Sequence, residues 1–480
     1  MTANRPPTWL LWGALILIVL AQTQCALAKD LKDGPFVSGA DLFAALLFGL
    51  WLLWVAATGS WRAVVLPPLA AWAFVIVVLV GVGRGDSPEA VKSGLIEVAQ
   101  YTLYFLCVYT LFLNVLTDER SIRRAVWVLC AVTGVMVLVA LVQYALVADP
   151  RAPGDTFRHV HSTFGIGEYL SATPLGQRLH LAGKSSRSVY GSYLVMVLPI
   201  LFALGLNMWR RPWVRAALLA TVAVGGLTLL SGWHFWVLAA ILLVLAARHS
   251  AKAALAASIA LAAFVALGPF VFPRNHQANI MEVLDFYETG VLDEKAVVTR
   301  QIREGELPTT TQVKKRWIEW QPALNMLGTS PALGVGTGGY QLHIGQSYGT
   351  LPNFEKIEPD TNCGWLVIAA SMGLCGLVTL AALYYSQYRT AGVLWATAQN
   401  RFTYGLSEGL IGSLIGMFLA NILSSVLVRG LSITMILVLA LVTAVGRASV
   451  GPSLPVDAGQ TPVAATRVGA TEAPPASDGG

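Results

Sequence analysis

The chain has 480 residues, of which 55% are hydrophobic and only 12% charged, and a net charge of +6. Apolar runs of roughly seventeen residues or more recur along it, which excludes a soluble globule, and the roughly ten-residue alternating segments of a transmembrane β-barrel are absent. The positive charge is spread over short loops, so it reads as a topology signal and an attraction to anionic lipid, not as a nucleic-acid footprint.

The expected fold is therefore an all-α polytopic membrane protein with about twelve transmembrane helices. The first apolar run, Trp9 to Ala28, ends in Cys25-Ala-Leu-Ala28, a small-residue pattern like that of a signal peptide. It is long enough to span, which favours an uncleaved anchor. Further spans are predicted over Asp41 to Ala57, Val64 to Val82, Gly94 to Leu116, Ala125 to Val147, Val189 to Asn207 and Trp213 to Leu230. The remaining ones are Gly232 to Ala247, Ala253 to Phe272, Cys363 to Tyr385, Leu406 to Val426 and Leu431 to Val445. Between 213 and 247 only Ser231-Gly232-Trp233-His234 interrupts the apolar pattern; the block is too long for one crossing, so a tight helical hairpin is predicted.

This divides the chain into 1–147 (spans 1–5), 148–188 (an external loop), 189–272 (spans 6–9), 273–362 (a large external loop with short helices), 363–447 (spans 10–12) and 448–480. The large extracytoplasmic loop thus falls between spans 9 and 10. The last segment is rich in Pro, Ala, Gly, Ser and Thr without an apolar period and reads as a disordered cytoplasmic tail. Arg5, Arg62, Arg120, Arg123, Arg124, Arg210, Arg211, Arg215, Arg248, Lys252, Arg389, Arg401 and Arg447 all collect in loops on one side. By the positive-inside rule that side is cytoplasmic, with both termini inside. The five cysteines form no CxxC pair, and no His pair has HExxH or Cys/His spacing, so no metal site is predicted.

Most polar chemistry falls in 273–362. Val313, Trp317, Trp320, Leu324 and Leu327 form one apolar stripe of a helix kinked by Pro322, with Lys314, Lys315 and Arg316 off that stripe. Such a helix fits the membrane surface, apolar face down and cations toward headgroups; a solvated basic turn is the plainer reading. Gly334-Val-Gly336-Thr-Gly-Gly339 satisfies GxGxxG literally, but no strand precedes it and no Walker lysine follows. It reads as a tight turn, either structural or an anion nest. Arg178, His180, Lys184 and Arg187 precede span 6 and are either boundary anchors or a diphosphate clamp. Glu97, Gln100 and Glu408 are polar groups within or near spans.

These segments together resemble the O-antigen ligase and O-antigen polymerase superfamily of bacterial membrane glycosyltransferases. The resemblance rests on Arg316-Trp-Ile-Glu-Trp320, Pro331-Ala-Leu-Gly-Val-Gly336, Tyr340, Thr361-Asn362-Cys-Gly-Trp-Leu366 and Ser371-Met-Gly373-Leu-Cys-Gly376. Arg178 before span 6, with Tyr193-Leu194 and Leu198-Pro199 inside it, adds to the likeness. It implies a metal-independent enzyme of the bacterial inner membrane, without cofactor, acting in surface polysaccharide assembly. Its donor would be an undecaprenyl-diphosphate-linked glycan, a polyprenyl-diphosphate class of substrate, and its acceptor a second glycan or lipid.

The resemblance also implies arginines that hold the diphosphate leaving group and a base that activates the acceptor hydroxyl. Two positions depart from the family: Thr361 stands where a histidine is expected, and His234 stands where a cation is expected. The implied catalytic set is Arg178, Arg316 and either Asp360 or His343 as base; Lys184, Arg187, His234, Lys315, Tyr340 and Asn362 would contact substrate. A changed reaction or a lost one are the other readings of Thr361. From other classes, a transporter would want matched midplane polar residues in two halves, and a scaffold of a polysaccharide export assembly would need none of these groups.

Overall fold

A computed structural model of the chain describes residues 6–23, 25–26, 38–147, 182–183, 187–208, 211–229, 233–271, 312–347, 363–425, 427 and 429–450. Among them the fold is helical apart from one short antiparallel pairing, β1 (Cys25–Ala26) with β2 (Ala182–Gly183). The helices run α1 (Thr8–Thr23), α2 (Gly39–Thr58), α3 (Leu69–Val82), α4 (Pro88–Val115), α5 (Glu119–Val147), α6 (Arg187–Asn207) and α7 (Pro212–Thr228). They continue as α8 (Trp233–His249), α9 (Ala251–Val271), α10 (Gln312–Thr329), α11 (Tyr340–Ser347), α12 (Gly364–Thr397), α13 (Arg401–Leu423) and α14 (Arg429–Val450).

Seven of these, α2, α4, α5, α6, α12, α13 and α14, are long and apolar enough to cross a membrane. The apolar helices α1, α3, α7, α8 and α9 are shorter over their described residues. α7 and α8 are separate helices, the first ending at Thr228 and the second beginning at Trp233. α12 outruns its predicted span, continuing past Tyr385 to Thr397.

Local sequence sets the helix ends. Ser38 and Asp41 form a capping box at α2, Ser87 caps α4 with Pro88 at its first position, and the Asn400 side chain accepts the Thr403 N–H at α13. Asp41 is buried, and its carboxylate accepts from the Ser38 N–H and the Tyr104 hydroxyl, both at 2.8 Å. Tyr104 lies on a π-helical turn, Leu103–Val108, inside α4.

α6 is the axis of the core. Nearly all of Val189–Asn207 is buried, against α13, α7 and α8. Gly405, Gly409, Gly412 and Gly416 line the face of α13 that meets it: a Cβ at Gly409 would sit 2.6 Å from the Ile200 Cα, and one at Gly412 2.9 Å from the Pro199 Cβ. With no hydrophobic drive between helices in lipid, such close backbone approach is what makes the packing favourable. α14 is tied in by polar contacts: Gln22 to Thr434 at 2.7 Å, Tyr109 to the Leu439 carbonyl at 3.3 Å, and Arg447 to the Leu113 carbonyl at 2.9 Å.

Two of the predicted loop cations pack on aromatic rings near helix ends. The Arg123 guanidinium lies 4.7 Å from the Phe402 ring centroid and that of Arg248 4.3 Å from the Trp395 ring. The candidate site lies where α12 begins.

Candidate functional site

The site is built on a break in α12. Gly373 has φ 64° and ψ −163°, a conformation open to glycine alone, and it interrupts the helix. The N–H groups of Leu374 and Cys375 lose the carbonyls of Ala370 and Ser371, their partners in a continuous helix. All four groups find partners in the glycine-rich loop: Val335 donates to Ala370 at 2.8 Å, Gly336 to Ser371 at 3.0 Å, Leu374 to Pro331 at 2.8 Å and Cys375 to Ala332 at 3.2 Å. Two helical hydrogen bonds are thus exchanged for four between loop and helix. Irregular backbone buried among apolar helices requires such complete pairing.

The loop itself needs its glycines. Gly334, Gly336 and Gly338 have φ of 65°, 104° and 83°, and a Cβ at Gly334 would overlap the Ala370 carbonyl. Its far side docks on α3 and α4, where the Thr337 N–H donates to Gly81 at 3.2 Å and its buried hydroxyl to Val78 at 2.9 Å. Gly334 donates to Ser330 at 2.9 Å and Gly339 to Gly336 at 3.1 Å. The N–H groups of Gly334, Val335, Gly336, Thr337 and Gly339 are therefore committed within the protein, which favours the structural turn over the anion nest. The loop is a structural plug.

That plug positions two short helices. Ala323 and Met326 of α10, Tyr340 and Ile344 of α11 and Ala370 of α12 form a small apolar cluster, with Val335, Leu366 and Val367 against it. The face of α10 packed on protein is thus Ala323 and Met326; Leu324, on the stripe read from the sequence, stays exposed. α11 projects His343 toward the turn between α3 and α4, where its Nε2 lies 3.0 to 3.1 Å from the carboxylate oxygens of Asp86. The imidazole is partly accessible and the carboxylate largely so. An imidazole oriented by a carboxylate is a general-base arrangement.

On the other flank of the α12 start lies a buried polar cluster. The Ser192 hydroxyl on α6 contacts His234 Nε2 on α8 at 3.2 Å and also the Ser424 hydroxyl just past α13. All three are buried, and Gly191 gives the imidazole room: a Cβ there would lie 2.5 Å from its Cγ. The Ser424 carbonyl accepts the Gly364 N–H at 3.3 Å, and Asn421, one turn earlier, donates to the Tyr384 hydroxyl at 3.2 Å.

Of the residues expected in the site, His343 and Tyr340 lie on α11 and His234 lies in the buried cluster. Tyr340 is a core residue of the α10–α11–α12 junction. Lys315 and Arg316 are on the first turns of α10 and Arg187 opens α6, with the backbone alone described at all three. Arg178, Lys184, Asp360 and Asn362 lie outside the described residues. Among polar groups within spans, Glu408 is fully buried; one carboxylate oxygen accepts from Asn207 at 3.2 Å, and the other has no hydrogen-bond partner among the described residues.

Sequence reasoning missed Asp86, Ser192 and Ser424. Asp86 carried one faint signal, its place in a short polar turn between two apolar runs; the serines carried none, since single serines are ordinary in membrane helices. Compared with known proteins, the chain matches no family model and no curated protein.

Proposed function

We propose that this chain is a membrane glycosyltransferase of the O-antigen ligase/polymerase type, crossing the bacterial inner membrane twelve times with both termini cytoplasmic and transferring or polymerising polyprenyl-diphosphate-linked glycans at the outer face. One observation carries the reading. The segments that resemble the family's run, Pro331–Tyr340 and Cys363–Gly376, bond into each other at the Gly373 break, and α10, which bears Arg316, packs on the same junction.

In this reading the cations on the first turns of α10, Lys315 and Arg316, offset charge that develops on the departing diphosphate. The acceptor hydroxyl gives its proton to His343, held in orientation by Asp86, while its oxygen attacks the sugar carbon bonded to the diphosphate. Asp86 and His343 together supply the base that Thr361 cannot. No metal or nucleotide enters the step.

The test is deletion of the gene followed by complementation with His343→Gln and Arg316→Ala. Shortened or unattached surface polysaccharide with accumulated lipid-linked repeats, restored by the wild-type chain and not by the variants, supports the reading. Unchanged polysaccharide in the deletion strain overturns it. The half-satisfied Glu408 carboxylate favours a second reading, a carrier using an intramembrane acid. Solute flux in proteoliposomes that is abolished by Glu408→Gln and untouched by His343→Gln would select it.

A further inference from the structure

We propose that the groove bounded by α6, α7, α8 and α9 binds one acyl chain of an anionic phospholipid, whose phosphate is held by Arg215, His249 and Lys252. This site lies on different helices from the α12 break and does not depend on the transfer reaction.

The groove is a cavity of about 540 Å³. That is within the usual range for small-molecule sites, about 300 to 1,000 Å³. It has an unfilled side by construction: Ala253, Ala256, Ala257 and Ala260 of α9, spaced three or four apart, all line it, and their side chains are too short to reach Leu219 of α7 or Leu242 of α8 opposite. Lining residues on α7 run from Arg215 to Gly226. At about 1.5 Å per residue this extends roughly 17 Å, close to the depth of one leaflet, about 15 Å. An acyl chain entering at one end fits that length.

The polar end fixes the headgroup. Arg215 opens α7, His249 closes α8 beyond the apolar stretch that ends at Ala247, and Lys252 opens α9, so two helical turns bring three basic groups to the same mouth. No acidic residue lines the groove. Burial, and secondarily the nearby Arg215 guanidinium, holds the His249 imidazole below its ordinary pKa. Apolar walls with a cationic rim at one end complement an anionic lipid, not a zwitterionic one.

The experiment uses the full chain purified in neutral detergent and presented with equal phosphatidylglycerol and phosphatidylcholine, retained lipid being counted by native mass spectrometry. One phosphatidylglycerol per chain is expected, in clear preference to phosphatidylcholine. Arg215 and Lys252 are exposed, so Arg215→Gln and Lys252→Gln leave the packing intact. Each should weaken retention roughly fivefold and the pair on the order of 25-fold. Ala256→Phe, which fills the groove and keeps the cations, should also expel the lipid. Equal retention of both lipids, unchanged retention in the double variant, or retention that survives Ala256→Phe each overturns the proposal. Displacement by glycerol 3-phosphate as effective as by whole lipid also overturns it, because it reduces the site to a phosphate contact at the surface.

Discussion

The Val335 N–H donates at 2.8 Å to the Ala370 carbonyl, the acceptor that Leu374 would use in an unbroken helix, and Leu374 donates instead to Pro331. Loop and helix are therefore mutually dependent: neither satisfies its backbone without the other. Gly373→Ala should cost at least about 3 kcal/mol, since it combines a glycine-only conformation with overlap onto the Ala332 carbonyl. Thermal unfolding of the purified chain checks this. Gly49→Ala, with open space around it on α2, is the control and should be neutral or mildly stabilising.

His343→Gln should lower glycan transfer by about a hundredfold or more if the imidazole is the base. Asp86→Asn should act in the same direction, and the double variant should be no worse than His343→Gln alone, because the two groups act as a unit. The pair is partly open to solvent, so neither change should move the melting temperature appreciably. A fully active His343→Gln enzyme would remove the residue from the mechanism.

At the α6–α13 contact, Gly409→Ala should destabilise by about 1 to 3 kcal/mol, because a methyl group would press on the Ile200 Cα. A denaturation series against wild type gives the number. A variant as stable as wild type would mean the helices separate more easily than their packing implies.

In the buried cluster, Ser192→Ala should cost about 1 to 3 kcal/mol by deleting the hydroxyl that joins His234 and Ser424. Gly191→Ala should be worse, since it drives a methyl group into the imidazole. If His234 serves only packing, transfer by Ser192→Ala enzyme that remains folded should match wild type; if it touches substrate, transfer falls more than stability does.

Much of the helical content is legible because apolar runs are a property of contiguous sequence: the separation of α7 from α8 follows from them. Gly405, Gly409, Gly412 and Gly416 were missed by sequence reasoning, although they fall in two small-xxx-small pairs. The break at Gly373 was not legible. Ser371-Met-Gly373-Leu reads as uninterrupted helix, and the groups that open it come from Pro331–Gly336. Likewise nothing near His343 in the chain announces Asp86, 257 residues away. Pairings over such distances are set by how helices assemble, and local pattern carries no trace of them.

The docking of Thr337 on Val78 has a consequence for biogenesis. The two residues are 259 apart, and the loop's other face belongs to α12, which leaves the ribosome later still. The plug closes fully only once α3, α4 and α12 are all in place, because its contacts reach all three. Nascent chains halted before α12 should lack the Val335–Ala370 and Leu374–Pro331 bonds, and completion of the site becomes one of the last events in the life of the newly made protein.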